Sequence, residues 1–285
     1  MTHPQSIPSG DILSRIVETK RQEVKALEPT QPQLEVAAAQ APDPRDLKEA
    51  LAGEDATVAL IAEVKRRSPG AGAIHVGLDP VRQAVAYEAG GASALSVLTD
   101  REYFQGSLDD LRRVRQAVQI PILRKDFVIH PSQVWEARAA GADAVLLIVR
   151  ILSDEELRSF RLLAEELGMS ALVEIHGEDE VPRALASGAR ILGVNNRDLK
   201  SFRTDLQVSL SLAGRIPPDV ILVSESGIST REEVESLGRV GVDGILVGEA
   251  LVRSTNPQEG ARRLSGVPRT GDARGSTKVK ADPAP

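Results

Sequence analysis

Apolar and polar positions follow two rhythms along this chain. Over residues 9–28, Ile12, Leu13, Ile16, Val24 and Leu27 recur at helical spacing, with Lys20 falling in the same stripe. The spacing predicts a helix that Ser9 or Asp11 can cap. Residues 29–45 contain Pro29, Pro32, Pro42 and Pro44 and predict a connector with one short helical turn, followed by a short helix over Arg45–Leu51. From about residue 58 the rhythm changes, and short runs of Val, Ile and Leu alternate with amphipathic stretches. Strands are predicted at 58–64, 93–98, 120–124, 144–149, 171–175, 190–194, 220–224 and 244–247. Their starts are spaced by about 27 residues, the length of a βα unit.

A diffuse repeat supports this reading. Gly90-Gly91-Ala92, Gly141-Ala142-Asp143, Gly188-Ala189-Arg190 and Gly241-Val242-Asp243 each stand just before a strand run. A helix ending on Gly, which tolerates the left-handed cap, accounts for all of them. Apolar strands alternating with helices predict a parallel sheet covered by helices. Eight such units favour an α/β fold of the closed (β/α)8 TIM-barrel type with an N-terminal helical extension. The competitor is an open doubly wound sheet, but neither G-x-G-x-x-G nor G-x-x-x-x-G-K-[ST] occurs. The predicted organisation is an extension and connector over 1–45, a catalytic barrel over 46–265 and a disordered tail over 266–285. The tail is expected because Gly, Pro, Ser, Lys and Asp dominate it.

Composition narrows the function classes. Of 285 residues, 41% are hydrophobic, enough for a core, but aromatics are so few that packing must rest on Leu, Val, Ile and Ala. A net charge of −6 gives no electrostatic footprint for nucleic acid or an anionic membrane. The absence of cysteine excludes disulfides, thiolate metal sites and Cys nucleophiles. The polar start, Met-Thr-His-Pro-Gln-Ser, does not read as a signal peptide, and no apolar stretch approaches the roughly 20 residues of a membrane span. A cytoplasmic location is the expectation.

The chemistry-bearing residues fall at one end of the predicted strands. Glu63 and Lys65 stand two apart at the end of the first run, so they share a face with Ile61 and aim at one place. Lys125 is in phase with Leu123, Glu174 with Leu172, and Asn195 with Gly193. C-terminal strand ends are where barrels of this type carry chemistry. Two lysines and two glutamates at such a mouth push one another's pKa values apart, which supplies acid and base roles. A structural ion pair at a strand end is the bland alternative for Glu63 and Lys65. Ser226-Gly227 and Gly248-Glu249, after the seventh and eighth strands, each place a Gly before a helix start, as phosphate sites do. Phe104 and Phe127 lie in loops after strands and suit an aromatic pocket or half-buried packing. His3, His75 and His130 are scattered, so no metal site is expected. His176 is out of phase with Glu174 and is expected to make a loop hydrogen bond. Trp135 and Phe160 read as packing.

I-A-E-V-K-R-R-S-P (61–69), S-V-L-T-D-R-E-Y-F-Q-G-S (96–107), P-I-L-R-K-D-F (121–127), G-A-D-A-V-L-L-I-V (141–149), L-V-E-I-H (172–176), G-V-N-N-R-D-L (193–199) and S-E-S-G-I (224–228) occur in order. Together they resemble the indole-3-glycerol-phosphate synthase family of tryptophan biosynthesis, over about residues 10–260. The resemblance implies a carboxy-lyase, a carbon–carbon lyase that converts 1-(2-carboxyphenylamino)-1-deoxyribulose 5-phosphate to indole-3-glycerol phosphate, carbon dioxide and water. It implies no cofactor and no metal. By motif position Lys125 is the acid for ring closure, and Lys65 assists closure and dehydration. Glu174 and Glu63 handle protons in the dehydration half, and Asn195 orients the intermediate. Ser68, Phe104, Phe127, Arg197, Glu225, Ser226, Gly227, Gly248 and Glu249 are the implied substrate contacts. The chain departs from the family pattern at Gly70, which loosens that loop, and at Glu249, whose carboxylate must turn away from phosphate. The expected partner is a phosphorylated small molecule, bound by a monomer or weak oligomer. A sister phosphate-binding barrel isomerase and a non-catalytic phosphate-ligand-binding barrel are the alternatives.

Overall fold

The computed structural model describes residues 12–52, 56–70, 72–198 and 203–271. Eight parallel strands form the barrel: β1 (Thr57–Val64), β2 (Ala94–Leu98), β3 (Ile122–Lys125), β4 (Ala144–Ile148), β5 (Ser170–Ile175), β6 (Ile191–Asn195), β7 (Ile221–Glu225) and β8 (Gly244–Val247). Each predicted strand is present, with its ends within two residues of those expected. Neighbours in sequence are neighbours in space, and β1 pairs with both β2 and β8, which closes the sheet. The (β/α)8 expectation therefore holds, and the open sheet is excluded.

The side-chain alternation divides the strands into two apolar layers. Ala59, Ile61, Leu123, Leu146, Leu172, Ile191, Val223 and Leu246 fill the barrel interior. Leu60, Ala62 and Val64 face the outer helices. At the N-terminal end, α3 (Leu47–Ala52) inserts Leu47 and Leu51 into the interior layer as a floor. The repeated Gly-x-Asp steps have a structural role at this end. Gly141 and Gly241 take positive φ and turn the chain into the strand. Asp143 Oδ2 then accepts the Ile122 N–H at 2.7 Å, and Asp243 Oδ2 accepts the Leu222 N–H at 2.7 Å.

The extension comprises α1 (Ile12–Leu27), a 3-10 turn at Glu28–Thr30 and α2 (Gln31–Gln40). The proposed Ser9 and Asp11 caps lie outside the described residues. A connector with one helical turn is corrected to a full second helix. Pro29 and Pro32 sit in the first turns of these elements, where the missing N–H has no intrahelical partner to lose. The loop after α2 is tied down by α4 (Pro131–Ala139), whose Arg138 donates to the Pro42 and Ala41 carbonyls at 2.9 and 3.0 Å.

The tail boundary expected at Gly266 is also corrected. Val267–Pro268 pair antiparallel with Thr57–Val58 of β1, and the Arg269 N–H donates to the Ala56 carbonyl at 2.7 Å. Val267 is fully buried. A two-residue strand ending on Pro carries no periodic signal. The rest of the expected tail, 272–285, lies outside the described residues.

Candidate active site

The C-terminal strand ends surround a cavity of about 430 Å³. Every candidate named from the sequence lines it: Glu63, Lys65, Ser68, Phe104, Lys125, Phe127, Glu174, Asn195, Arg197, Glu225, Ser226, Gly227, Gly248 and Glu249. Strand alternation is the cause. It turns Glu63, Lys125, Glu174 and Glu225 inward in register, above the apolar interior.

At the centre is Lys125. Its Nζ stands 3.1 Å from Glu174 Oε2 and 2.5 Å from Glu225 Oε2. Both carboxylates are almost completely buried. Two buried carboxylates sharing one ammonium cannot both ionise cheaply. Burial pushes Glu225 up, and although Lys125 pulls it back, the Glu174 charge adds to the rise, leaving it at about 8. Burial acts against ionised Glu174 as well, but Lys125 and then His176 outweigh it and hold that group at about 2. Burial disfavours the charged Lys125, yet Glu225 and Glu174 more than compensate and raise its pKa. The shared ammonium and the repulsion between the two carboxyls thus drive their pKa values apart, Glu225 upward and Glu174 downward. Glu225, expected only as a substrate contact, is bonded directly to Lys125. A second ion pair, Lys65 with Glu63, lies across the mouth. Gly248 lies against it, since a Cβ there would run into the Glu63 carboxylate and come within 2.9 Å of Lys65 Nζ.

The two flanks differ in chemistry. On one side Phe104 and Phe127 face each other with ring centroids 6.0 Å apart. On the other, Ser226 and Gly227 adopt consecutive left-handed conformations, φ 68° and 79°. A tight turn of this kind can present backbone N–H groups to an anion as a concave nest. Left-handed Ser is strained by roughly 1–3 kcal/mol, and it is held by Asn196 Nδ2, which donates to the Ser226 carbonyl at 3.0 Å. Glu249 turns its carboxylate onto Arg253, Oε1 to Nε 2.9 Å.

Several cavity residues escaped the sequence reading. Ile12, Leu13 and Ile16 of α1 roof the cavity; their helical spacing signalled burial but not against what. Arg253 also lines it and carried no motif. The His176 backbone N–H donates to Glu180 Oε2 at 2.7 Å. Its buried ring, however, stands 3.3 Å from Glu174 Oε1 and 3.8 Å from Glu180 Oε2. Phase along an ideal strand missed this because the chain leaves β5 at Ile175.

The family model for indole-3-glycerol phosphate synthase matches residues 13–264. The chain belongs to the indole-3-glycerol phosphate synthase family. Relatives bearing that name include proteins of Chloroherpeton thalassium, 49% identical over 246 residues (85% of this chain and 95% of the relative), and of Roseiflexus sp., 49% identical over 265 residues (90% and 98%). The Aquifex aeolicus relative is 51% identical over 209 residues, covering 73% of this chain and 81% of its own length. Among solved structures, a thiamine phosphate pyrophosphorylase from Pyrococcus furiosus is similar with TM-score 0.56 at 18% identity, covering 77% of this chain and 96% of its own. A structure described as native KDPGal is similar with TM-score 0.52 at 19% identity, covering 72% and 91%. These two likenesses show the barrel fold alone. Membership of the synthase family assigns the chain to the carboxy-lyases of tryptophan biosynthesis.

Proposed function

We propose that the barrel mouth converts 1-(2-carboxyphenylamino)-1-deoxyribulose 5-phosphate to indole-3-glycerol phosphate. The observation that carries this reading is Lys125 Nζ between Glu174 and Glu225, on the same cavity as the Glu63–Lys65 pair. The ring would lie toward Phe104 and Phe127 and the phosphate on the Ser226–Gly227 nest, with the Gly248 and Glu249 backbone beside it.

The steps then follow from the groups between these ends. The ring carbon bearing the carboxylate bonds to the ribulose carbonyl carbon, and the carbonyl oxygen takes a proton from Lys125. Carbon dioxide leaves, and the electrons of its bond return to the ring. The new hydroxyl then departs as water with a second proton, and a base removes the proton from the carbon beside nitrogen. Glu174, Glu225 and Glu63 are the groups placed for these transfers, with Lys65 on the substrate carboxylate and departing hydroxyl. Asn195 hydrogen-bonds Glu174 and orients the intermediate, and Ser68 and Arg197 complete the rim.

We assign the protein to the cytoplasm as a monomer or weak oligomer acting on a small phosphorylated molecule. No helix among the described residues is long and apolar enough to cross a membrane. The 12–40 segment acts as the roof of one catalytic barrel in this reading. Incubation with the carboxyphenylamino ribulose phosphate should release carbon dioxide and an indole chromophore in equal amounts. Folded protein that yields no indole defeats the reading.

A further inference from the structure

Lys20 of α1 is the one lysine that is fully buried among the described residues, with 1% of its side chain exposed. Its Nζ stands 2.9 Å from Asp100 Oδ2 and 3.0 Å from Asp126 Oδ1, carboxylates 0% and 2% exposed, and 2.8 Å from Glu23 Oε2 at the rim. The helix does not need this charge to dock, since Leu13, Ile16, Val17 and Val24 already bury its apolar face. A buried ion pair adds little stability over apolar packing of the same volume, so stability alone does not account for this cluster.

What this cluster arranges is the aromatic flank of the cavity. The other oxygen of Asp100, Oδ1, accepts the Tyr103 and Phe104 N–H groups at 2.7 and 3.1 Å. Asp126 Oδ1, the oxygen beside Lys20, accepts the Phe127 N–H at 2.8 Å. One ammonium thus joins the two short loops that present Phe104 and Phe127. Thr19 adds a second tie to the same loop, its hydroxyl 3.1 Å from the Tyr103 hydroxyl. On the far side Arg124 Nη2 meets Asp126 Oδ2 at 3.2 Å, and Thr99 donates to the same oxygen at 2.5 Å. Burial disfavours an ionised Asp126, but Arg124 and Lys20 outweigh it and hold its pKa down at about 2. The Ser226–Gly227 turn is held by a different residue, Asn196, whose Nδ2 donates to the Ser226 carbonyl.

We propose that Lys20 is a positioning residue for substrate recognition, setting the spacing of Phe104 and Phe127 and hence the affinity for the aromatic end of the substrate. The claim rests on the proposed function, in which the ring occupies that flank. Lys125 keeps its own supports, Glu174 and Glu225, so loss of Lys20 loosens binding more than chemistry.

The test is Lys20→Met, which keeps length and removes charge, assayed with two competitive probes, 2-aminobenzoate for the aromatic flank and inorganic phosphate for the nest. KM for the carboxyphenylamino ribulose phosphate should rise at least about tenfold, with kcat within about threefold of wild type. Inhibition by 2-aminobenzoate should weaken in parallel, and inhibition by phosphate should not change. Equal weakening of both probes, or an unchanged KM, overturns the proposal, because a generally loosened fold or an idle anchor would give those results. Asp100→Asn retains the acceptor for Tyr103 and Phe104 while removing the charge facing Lys20, so it reads out the same pattern should Lys20→Met not fold. A wild-type protein that makes no indole would instead remove the underlying functional reading.

Discussion

Glu225 and Glu174 compete for one ammonium, and the competition has a measurable pH signature. In the unfolded chain Glu225 ionises at its ordinary value of 4.5, and in the fold at about 8. Between these values the folded protein holds a proton that the unfolded chain has released, so stability falls as pH rises. The contribution of the protonated carboxyl is complete below the unfolded pKa and lost as pH passes the folded one. Glu225→Gln fixes the neutral form. Its melting temperature should match wild type near about pH 5 and exceed it near about pH 9; a variant no more stable than wild type in alkali contradicts the assignment. Replacing the His176 ring, 3.3 Å from Glu174, by Leu should lower kcat by about tenfold with KM little changed, while Asn, which keeps a donor, should recover part of the loss. The Glu63–Lys65 pairing was legible because its partners are two residues apart at the end of one strand. The Glu225 role was not, because its partner Lys125 stands a hundred positions away in the chain and only closure of the barrel brings them together.

The βα units carried strong sequence signals, and the pieces fastened to them did not. Interior strands read as apolar runs because both faces are covered. α2 was hidden by prolines that look like breakers but sit in first turns. The Val267–Pro268 strand was hidden by its brevity, yet it buries Val267 and pairs with β1. Truncation after Leu264 should therefore lower the melting temperature by about 5 °C, as thermal denaturation would show; an unchanged value would make this pairing incidental. The Gly steps before strands mark boundaries in the sequence, and at Asp143 and Asp243 the fold adds a purpose, which is to cap the start of the preceding strand. Asp143→Ala leaves the buried Ile122 N–H unpaired and should cost about 3 kcal/mol in denaturant unfolding. Its distance from the mouth should leave kcat intact, and a loss of activity without a loss of stability would contradict this division of labour.

Stability and chemistry occupy opposite ends of this barrel. The floor formed by α3 and the Asp caps closes the N-terminal end, and charged side chains from β1, β3, β5 and β7 meet at the other. The sequence located that mouth by strand phase, and family membership adds the reaction class. Neither shows which ammonium is positioned to give up a proton. Lys125, flanked by two buried carboxylates, is that group in this account. The most direct test is turnover of the carboxyphenylamino ribulose phosphate by Lys125→Ala, with circular dichroism and inorganic phosphate binding as controls. The account predicts a fall in kcat of about 10²–10⁴-fold, the range for loss of a positioned acid, with fold and phosphate affinity retained. Turnover near the wild-type rate would contradict it.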